Sequence, residues 1–381
     1  MEEKTRHEKF WAVAQIVDKP LLSWLYGLEA EPIFYEGPAL IIANHSNDLD
    51  PLILAACFPK NQMYFVASEH IFRLGIVSKV LAYLVAPIPR KKASSGADTV
   101  KACLRALKAG NSVALMAEGE ATWDGVSIDA FSATGKLAKS SGASLITVKI
   151  TGGYLSNPRW SHTNRRGKVY ARPVHIYSPL ELEEMSAEEV LEAINHDIYE
   201  DCWQRQRDYA VRFVGKDRAE DIERAVYICP TCKSVGTIVS SGNTFCCTAC
   251  HTGSSVTEYG TFADGFAFST ISEWDKWQKE QIRNRTFETS DSEIYFRDFG
   301  VTLKRIGPGH KEEVIGENLK LCQYEDRLTC GVCTFYLSKI SNMSIVQAKR
   351  LLFSYEKNYY EIKVESKTSV RKYLEFWEAN K

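Results

Sequence analysis

An unbroken apolar run, Ala39-Leu40-Ile41-Ile42-Ala43, meets a polar cluster, Asn44-His45-Ser46-Asn47-Asp48-Leu49-Asp50, and apolar residues resume after Pro51. Such a short run predicts a buried strand. Proline suits the first turn of a helix, so the polar cluster sits at a strand-to-helix turn. Further strands are predicted at residues 63–67, 112–116, 143–150, 168–172 and 174–177. Helices are predicted over residues 1 to about 30 with a break at Pro20, from 51–57, and from His70 to about Tyr83. Another covers 98–109, with Val100, Cys103, Leu104 and Leu107 on one face, and another 134–141. The capping-box spacing of Ser186-Ala187-Glu188-Glu189 opens a helix running from Val190 to about Arg212. Strands alternating with helices predict an α/β domain, whose chemistry sits where strands end.

Past about residue 258 the pattern changes. Aromatic-rich alternating segments at 293–296, 301–303, 351–355 and 359–364 predict strands. A helix over 369–379 follows, with Val370, Tyr373, Leu374 and Trp377 at helical spacing. Short strands closed by one amphipathic helix resemble a pleckstrin-homology-like barrel. No run reaches the ~18 apolar residues of a membrane span. Residues 10–26 and 71–88 are the most apolar stretches, and fit either a membrane-interface helix or a helix packed on the core.

With 381 residues, 45% apolar and 25% charged, the chain has ordinary globular composition and room for two or three domains. A net charge of −1 gives no basic field, so no nucleic-acid partner is expected. Met1-Glu2-Glu3-Lys4 begins no signal-peptide pattern. Together with 11 cysteines this predicts a reducing, cytoplasmic setting and metal binding rather than disulfides. Cys229-Pro230-Thr231-Cys232 and Cys247-Thr248-Ala249-Cys250 have the spacing of a four-cysteine zinc ribbon, with Cys246 a competing third ligand. Structural zinc is the expected metal, in a site with no open position for chemistry. Cys330 and Cys333, with Cys322 upstream, read as buried strand cysteines, or as a second metal or redox pair.

His45 and Asp50 are separated by four residues across the turn. Over that span a carboxylate reaches one ring nitrogen, fixes the tautomer and leaves the other nitrogen as a general base. Asn44-His45-x4-Asp50 after an apolar strand resembles the first block of the glycerolipid acyltransferases, the glycerol-3-phosphate and 1-acylglycerol-3-phosphate O-acyltransferases. Ile88-Pro89-Arg90 is similar to the end of their second block, although Leu84 and Pro87 replace its Gly and Phe. Glu118-Gly119 matches their third block, with Ala117, Glu120 and Ala121 in place of its Pro, Thr and Arg. Residues 144–150 are similar to the fourth, with Lys149 near the place of its Pro and Gly152-Gly153 allowing close backbone approach.

The resemblance implies a mixed sheet flanked by helices. It implies acyl transfer from acyl-CoA or acyl carrier protein to the hydroxyl of a glycerol-phosphate or lysophospholipid. His45 would be the base and Asp50 its orienter. Asn44, Arg90, Glu118 and Gly119 would serve the substrate, with Arg90 on the acceptor's phosphate. Ala121 cannot bind phosphate and Glu120 would repel it; Lys91, Lys92, Lys136 and Lys149 are the cations available to compensate. The expected organisation is an acyltransferase domain (1–220), a zinc ribbon (225–255) and a β-rich domain (258–381), peripherally bound to a membrane surface. The rival expectation is a lipid-binding adaptor that keeps the fold without catalysis. A hydrolase ranks last, since no Gly-x-Ser-x-Gly turn is present.

Overall fold

The computed structural model describes residues 2–73, 76–90, 96–289, 291, 293–307, 311–365 and 367–381. Lys91 and Lys92 lie outside the described residues. The chain divides into two compact units; residues 96–159 and 164–215 join the N-terminal segment in the first, and 216–381 form most of the second.

In the first unit, α1 (Glu2–Tyr26), β1 (Leu28–Ala30), β2 (Ala39–Ala43), α2 (Asp50–Ala55), β3 (Met63–Ser68), α3 (Ile76–Val85), β4 (Ile88–Arg90), α4 (Ala97–Lys108) and β5 (Ser112–Met116) come first. Then follow α5 (Ala133–Ser140), β6 (Ser144–Thr151), α6 (Gly153–Ser156), β7 (Val169–Tyr177), α7 (Pro179–Glu184), α8 (Ala187–Ile198) and α9 (Cys202–Tyr209). The sheet order is β1-β7-β6-β2-β5-β3-β4. It is parallel except where β6 meets β7, so the sheet is mixed, with helices on both faces.

β2 is buried along its whole length because each face meets a helical layer. Ile41 packs in a core with Trp11, Leu22, Ile53 and Leu54; Leu40 and Ile42 point into another with Cys103, Leu107, Leu137, Val190 and Ile194. This alternation is the strand period of two. The chain leaves β2 toward β3, past β5, and leaves β5 toward β6, past β2. Neighbouring strands thus send their connections in opposite directions, which opens a crevice at their carboxyl ends.

Several sequence expectations change in this unit. Pro20 does not break α1. It removes one backbone bond, to the Ile16 carbonyl, and both residues lie on the exposed face, where water replaces the donor. The late strands are one, β7. The helix expected to continue to Arg212 stops at Ile198: Tyr199 is extended and Asp201 caps a new helix, accepting from the Trp203 and Gln204 N–H groups.

The second unit holds β8 (Ile238–Ser241), β9 (Thr244–Cys247), β10 (Gly253–Ser255) and α10 (Ile271–Asn284). β11 (Phe296–Ile306), β12 (Glu312–Gln323), β13 (Arg327–Cys330), β14 (Cys333–Tyr336), β15 (Ile340–Val346), β16 (Arg350–Tyr355), β17 (Asn358–Lys363) and α11 (Arg371–Glu378) complete it. β8–β10 form a small antiparallel sheet, and β11–β17 a seven-stranded antiparallel one in the order β14-β13-β12-β11-β17-β16-β15. Residues 293–295, expected in a strand, precede β11. The periodicity reading passed over α10 altogether. Its Trp274 lies among Phe245, Phe262 and Phe266 and donates from Nε1 to the Ile228 carbonyl at 2.9 Å.

Candidate active site

The loop after β2 is built around Asp50, which is fully buried at the start of α2. Its Oδ2 accepts from the Asn47 N–H at 2.8 Å and the Ser46 N–H at 2.5 Å, and its Oδ1 accepts from the Ser46 hydroxyl at 2.9 Å. The fourth partner of the carboxylate is His45 Nδ1, at 2.9 Å from Oδ2. An ionised carboxylate only accepts, so Nδ1 carries the proton and Nε2 is left with its lone pair. The His45 side chain keeps 18% of its exposure, against 0% for Asp50.

Asn44 does not face outward. Its Nδ2 donates to the Ile150 carbonyl at 2.8 Å and its Oδ1 accepts from the Ile150 N–H at 2.7 Å, tying the end of β2 to β6. Asn47 Nδ2 donates to the Gly153 carbonyl at 2.8 Å. A Cβ on Gly153 would lie 2.2 Å from Ser46 Oγ, so this approach requires glycine.

The turn after β5 supports the same loop. The Glu118 carboxylate accepts from the His45 N–H at 3.0 Å and the Ile128 N–H at 3.2 Å. Burial pushes this carboxyl up to about 8, opposed by those two donors. Gly119 has φ +76°, and a Cβ there would strike Phe131 and the Arg90 guanidinium. Arg90 lies over the Phe131 ring, 4.3 Å from its centroid. Burial lowers its pKa, and the nearby Glu120 charge works against that.

Ala121 is buried, and its carbonyl accepts from Arg159 Nη1 at 2.8 Å. The same nitrogen donates to Glu120 Oε2 at 2.8 Å, and the guanidinium stacks over Trp123 at 4.2 Å. A guanidinium thus stands at the turn that lacks its own Arg, with its charge matched by Glu120. Sequence reading had no signal for Arg159, which lies 38 residues beyond Ala121. Lys136 is exposed on α5 and Lys149 half-buried on β6.

A small pocket beside this loop is lined by His45, Thr122, Ser127, Gly153, Tyr154 and Glu200, among others. Glu200 also escaped the sequence reading, which placed it mid-helix. In the second unit the sulfurs of Cys229, Cys232, Cys247 and Cys250 converge within 4.8 Å of one another. Cys246 is exposed and outside that cluster. Cys330 and Cys333 face each other across the tight β13–β14 hairpin.

Residues 23–151 match the family model Acyltransferase. The segment that carries the His45 loop is an acyltransferase domain. The resemblance read from its four blocks is therefore upheld, together with the mixed sheet flanked by helices. One solved structure similar to this acyltransferase domain is the 1-acyl-sn-glycerophosphate (LPA) acyltransferase PlsC from Thermotoga maritima. The likeness has 19% identity over 52% of this chain and 81% of that one, with a TM-score of 0.43. No curated protein matches the chain. Among the described residues no helix is long and apolar enough to cross a membrane.

Proposed function

We propose that the acyltransferase domain moves an acyl chain from a thioester, acyl-CoA or acyl carrier protein, to a hydroxyl of a glycerol-phosphate or lysophospholipid acceptor. The observation that carries this is the 2.9 Å contact from His45 Nδ1 to a fully buried, four-fold hydrogen-bonded Asp50. Nε2 takes the acceptor's proton as its oxygen attacks the thioester carbonyl. The tetrahedral intermediate then expels the thiolate, which recovers the proton from Nε2. No acyl-enzyme is required, and the Ser46 hydroxyl is committed to Asp50. Arg90 serves the acceptor's head group, its fork suiting phosphate. Gly119 gives Arg90 room, while Asn44 and Glu118 hold the His45 loop, because their polar atoms are bonded to backbone.

In the second unit we assign a structural zinc to Cys229, Cys232, Cys247 and Cys250. Tetrahedral ligands at ~2.3 Å from zinc sit about 3.8 Å apart. The Cys229–Cys250 and Cys232–Cys247 sulfurs are 3.6 and 3.7 Å apart. Four protein ligands fill the site, so the metal supplies folding energy rather than chemistry. Two antiparallel meanders, four strands then three, joined through β11 and β17 and followed by α11, support the pleckstrin-homology-like reading of the β-rich region.

The test is acyl transfer by the purified protein and by His45→Ala. It uses labelled acyl-CoA and acyl carrier protein with lyso-lipids in vesicles. Loss of at least about a hundredfold is expected in the variant. Equal rates would remove His45 as the base. A wild-type protein that binds vesicles but transfers nothing would replace the enzyme with the lipid-binding adaptor.

A further inference from the structure

We infer that Glu200 is a specificity-determining residue of the acceptor pocket: its unpaired carboxylate oxygen takes a hydrogen bond from a second hydroxyl of the acceptor, next to the one that His45 deprotonates. This rests on the acyl-transfer reading.

Glu200 sits in the short break between α8 and α9. It is clamped to the loop after β5 in both directions. Its carbonyl accepts from the Ser127 N–H at 2.8 Å, and its own N–H donates to Ser127 Oγ at 3.0 Å. Cys202 N–H adds a bond to the Gly125 carbonyl at 3.1 Å. That loop is in turn held to the base, since the Thr122 N–H donates to the His45 carbonyl at 3.0 Å. The backbone therefore holds Glu200 in register with His45, and both line one pocket.

The carboxylates around this pocket differ in one respect. Asp50 has four donors and Glu118 has two backbone donors. Glu200 Oε1 is buried and has no hydrogen-bond partner among the described residues. A buried carboxylate oxygen without a donor is costly, and a pocket that retains one is shaped for a donor from outside. Burial lifts this carboxyl to about 7, with Arg205 and Lys149 opposing the shift. Among the described residues that line the pocket there is no Lys or Arg. A phosphate entering here would meet a carboxylate directly, with Arg205 and Lys149 acting on it only from outside the lining, whereas a hydroxyl fits it.

The chemistry separates acceptors by hydroxyl count. A 1-monoacylglycerol has two free hydroxyls and no phosphate; glycerol 3-phosphate has two and a phosphate; 1-acylglycerol 3-phosphate has one. Glu200→Met removes the acceptor oxygens, while Glu200→Gln keeps a carbonyl. Glu200→Met is expected to raise KM for both two-hydroxyl acceptors by at least about tenfold with little change in kcat. KM for 1-acylglycerol 3-phosphate should hold or fall, and Glu200→Gln should recover most of the loss. Binding of monobutyrin, a soluble monoacylglycerol, is followed in parallel by tryptophan fluorescence and should weaken by the same factor. The melting point of Glu200→Met is expected at or above the wild type's, since the buried unpaired oxygen is gone, and that of Glu200→Gln close to it, since a buried polar atom stays.

If KM rises equally for the one-hydroxyl acceptor, or if neither KM nor binding responds, the assignment of Glu200 is overturned. A wild type that transfers no acyl chain, yet loses monobutyrin binding in Glu200→Met, would sink the acyl-transfer reading and leave the Glu200 contact standing. Neither transfer nor binding would remove both.

Discussion

The placement of His45 rests on donor accounting around two buried carboxylates, and Glu118 is the more exposed to test. Its two oxygens accept from His45 and Ile128 N–H groups, and it is 3% exposed. Glu118→Gln keeps the shape but turns one acceptor into a donor that faces an N–H. A cost of about 1–3 kcal/mol is expected, because a buried donor is left unpaired. The acid form is favoured in the fold, since burial moves the carboxyl from its ordinary 4.5 to about 8. The folded protein then holds a proton that the unfolded chain releases between those values. This contribution to stability is complete below about 4.5 and is lost as pH rises through 8. Melting curves at pH 5 to 8 should therefore fall less steeply for Glu118→Gln than for wild type. Parallel slopes would show that Glu118 is not the group responsible. The contrast with His45 and Asp50 explains what sequence reading reaches at this scale. Their contact spans five positions and one turn, so spacing alone predicts it. Glu118 meets His45 from 73 residues away, and Arg159 meets Ala121 from 38, so only the sheet order brings either into place.

At the scale of elements, β2 and α2 follow from pattern because both are dictated locally, by an apolar run and by Pro51. The break that frees Glu200 does not, since the apolar period of α8 continues past it and only the Asp201 cap ends one helix and starts another. α10 was missed because its buried positions include Asp275, Gln278 and Gln281, polar residues that mask the apolar face. α1 carries an inference of its own. Trp11 and Leu22 pack into the core, while Val13, Ile16, Val17, Leu21 and Trp24 are exposed along one side. An apolar stripe with an exposed Trp suits the boundary between headgroups and acyl chains, where an acceptor lipid would be found. Ile16→Asn with Trp24→Asn should therefore weaken binding to phospholipid vesicles by at least about tenfold, given ~1.5–3 kcal/mol for each fully buried large apolar side chain. The melting point should stay close to wild type, because both residues lie outside the core. Cosedimentation with vesicles measures this, and unchanged binding would return α1 to the role of a packing helix.

At the scale of the molecule, the two units call for separate accounting, since a two-unit chain need not melt in one step. The spacing of the cysteines predicts a zinc ribbon over residues 225–255 and carries no signal for the core around it. In the structure Phe245 of β9 packs with Phe262, Phe266 and Trp274, and Trp274 bonds the Ile228 carbonyl beside Cys229. The proposed metal and the aromatic core would therefore stabilise the same region. The cluster draws Cys229 and Cys232 from one turn and Cys247 and Cys250 from another. Without an ion its converging thiols have one another and the hydroxyls of Ser234, Thr237 and Thr252 as partners. Cys229→Ser is expected to lower bound zinc from one per chain toward none, read by elemental analysis. A loss of about 4 kcal/mol, at the large end for one substitution, would lower melting of a unit this size by roughly 8–16 °C. Because a four-cysteine site offers no open position, kcat of the acyltransferase domain should change little at a temperature where the second unit remains folded. Undiminished zinc in Cys229→Ser would dismiss the site. Lost zinc with unaltered melting of the second unit would make the aromatic cluster around Trp274, rather than the metal, the main support of that region.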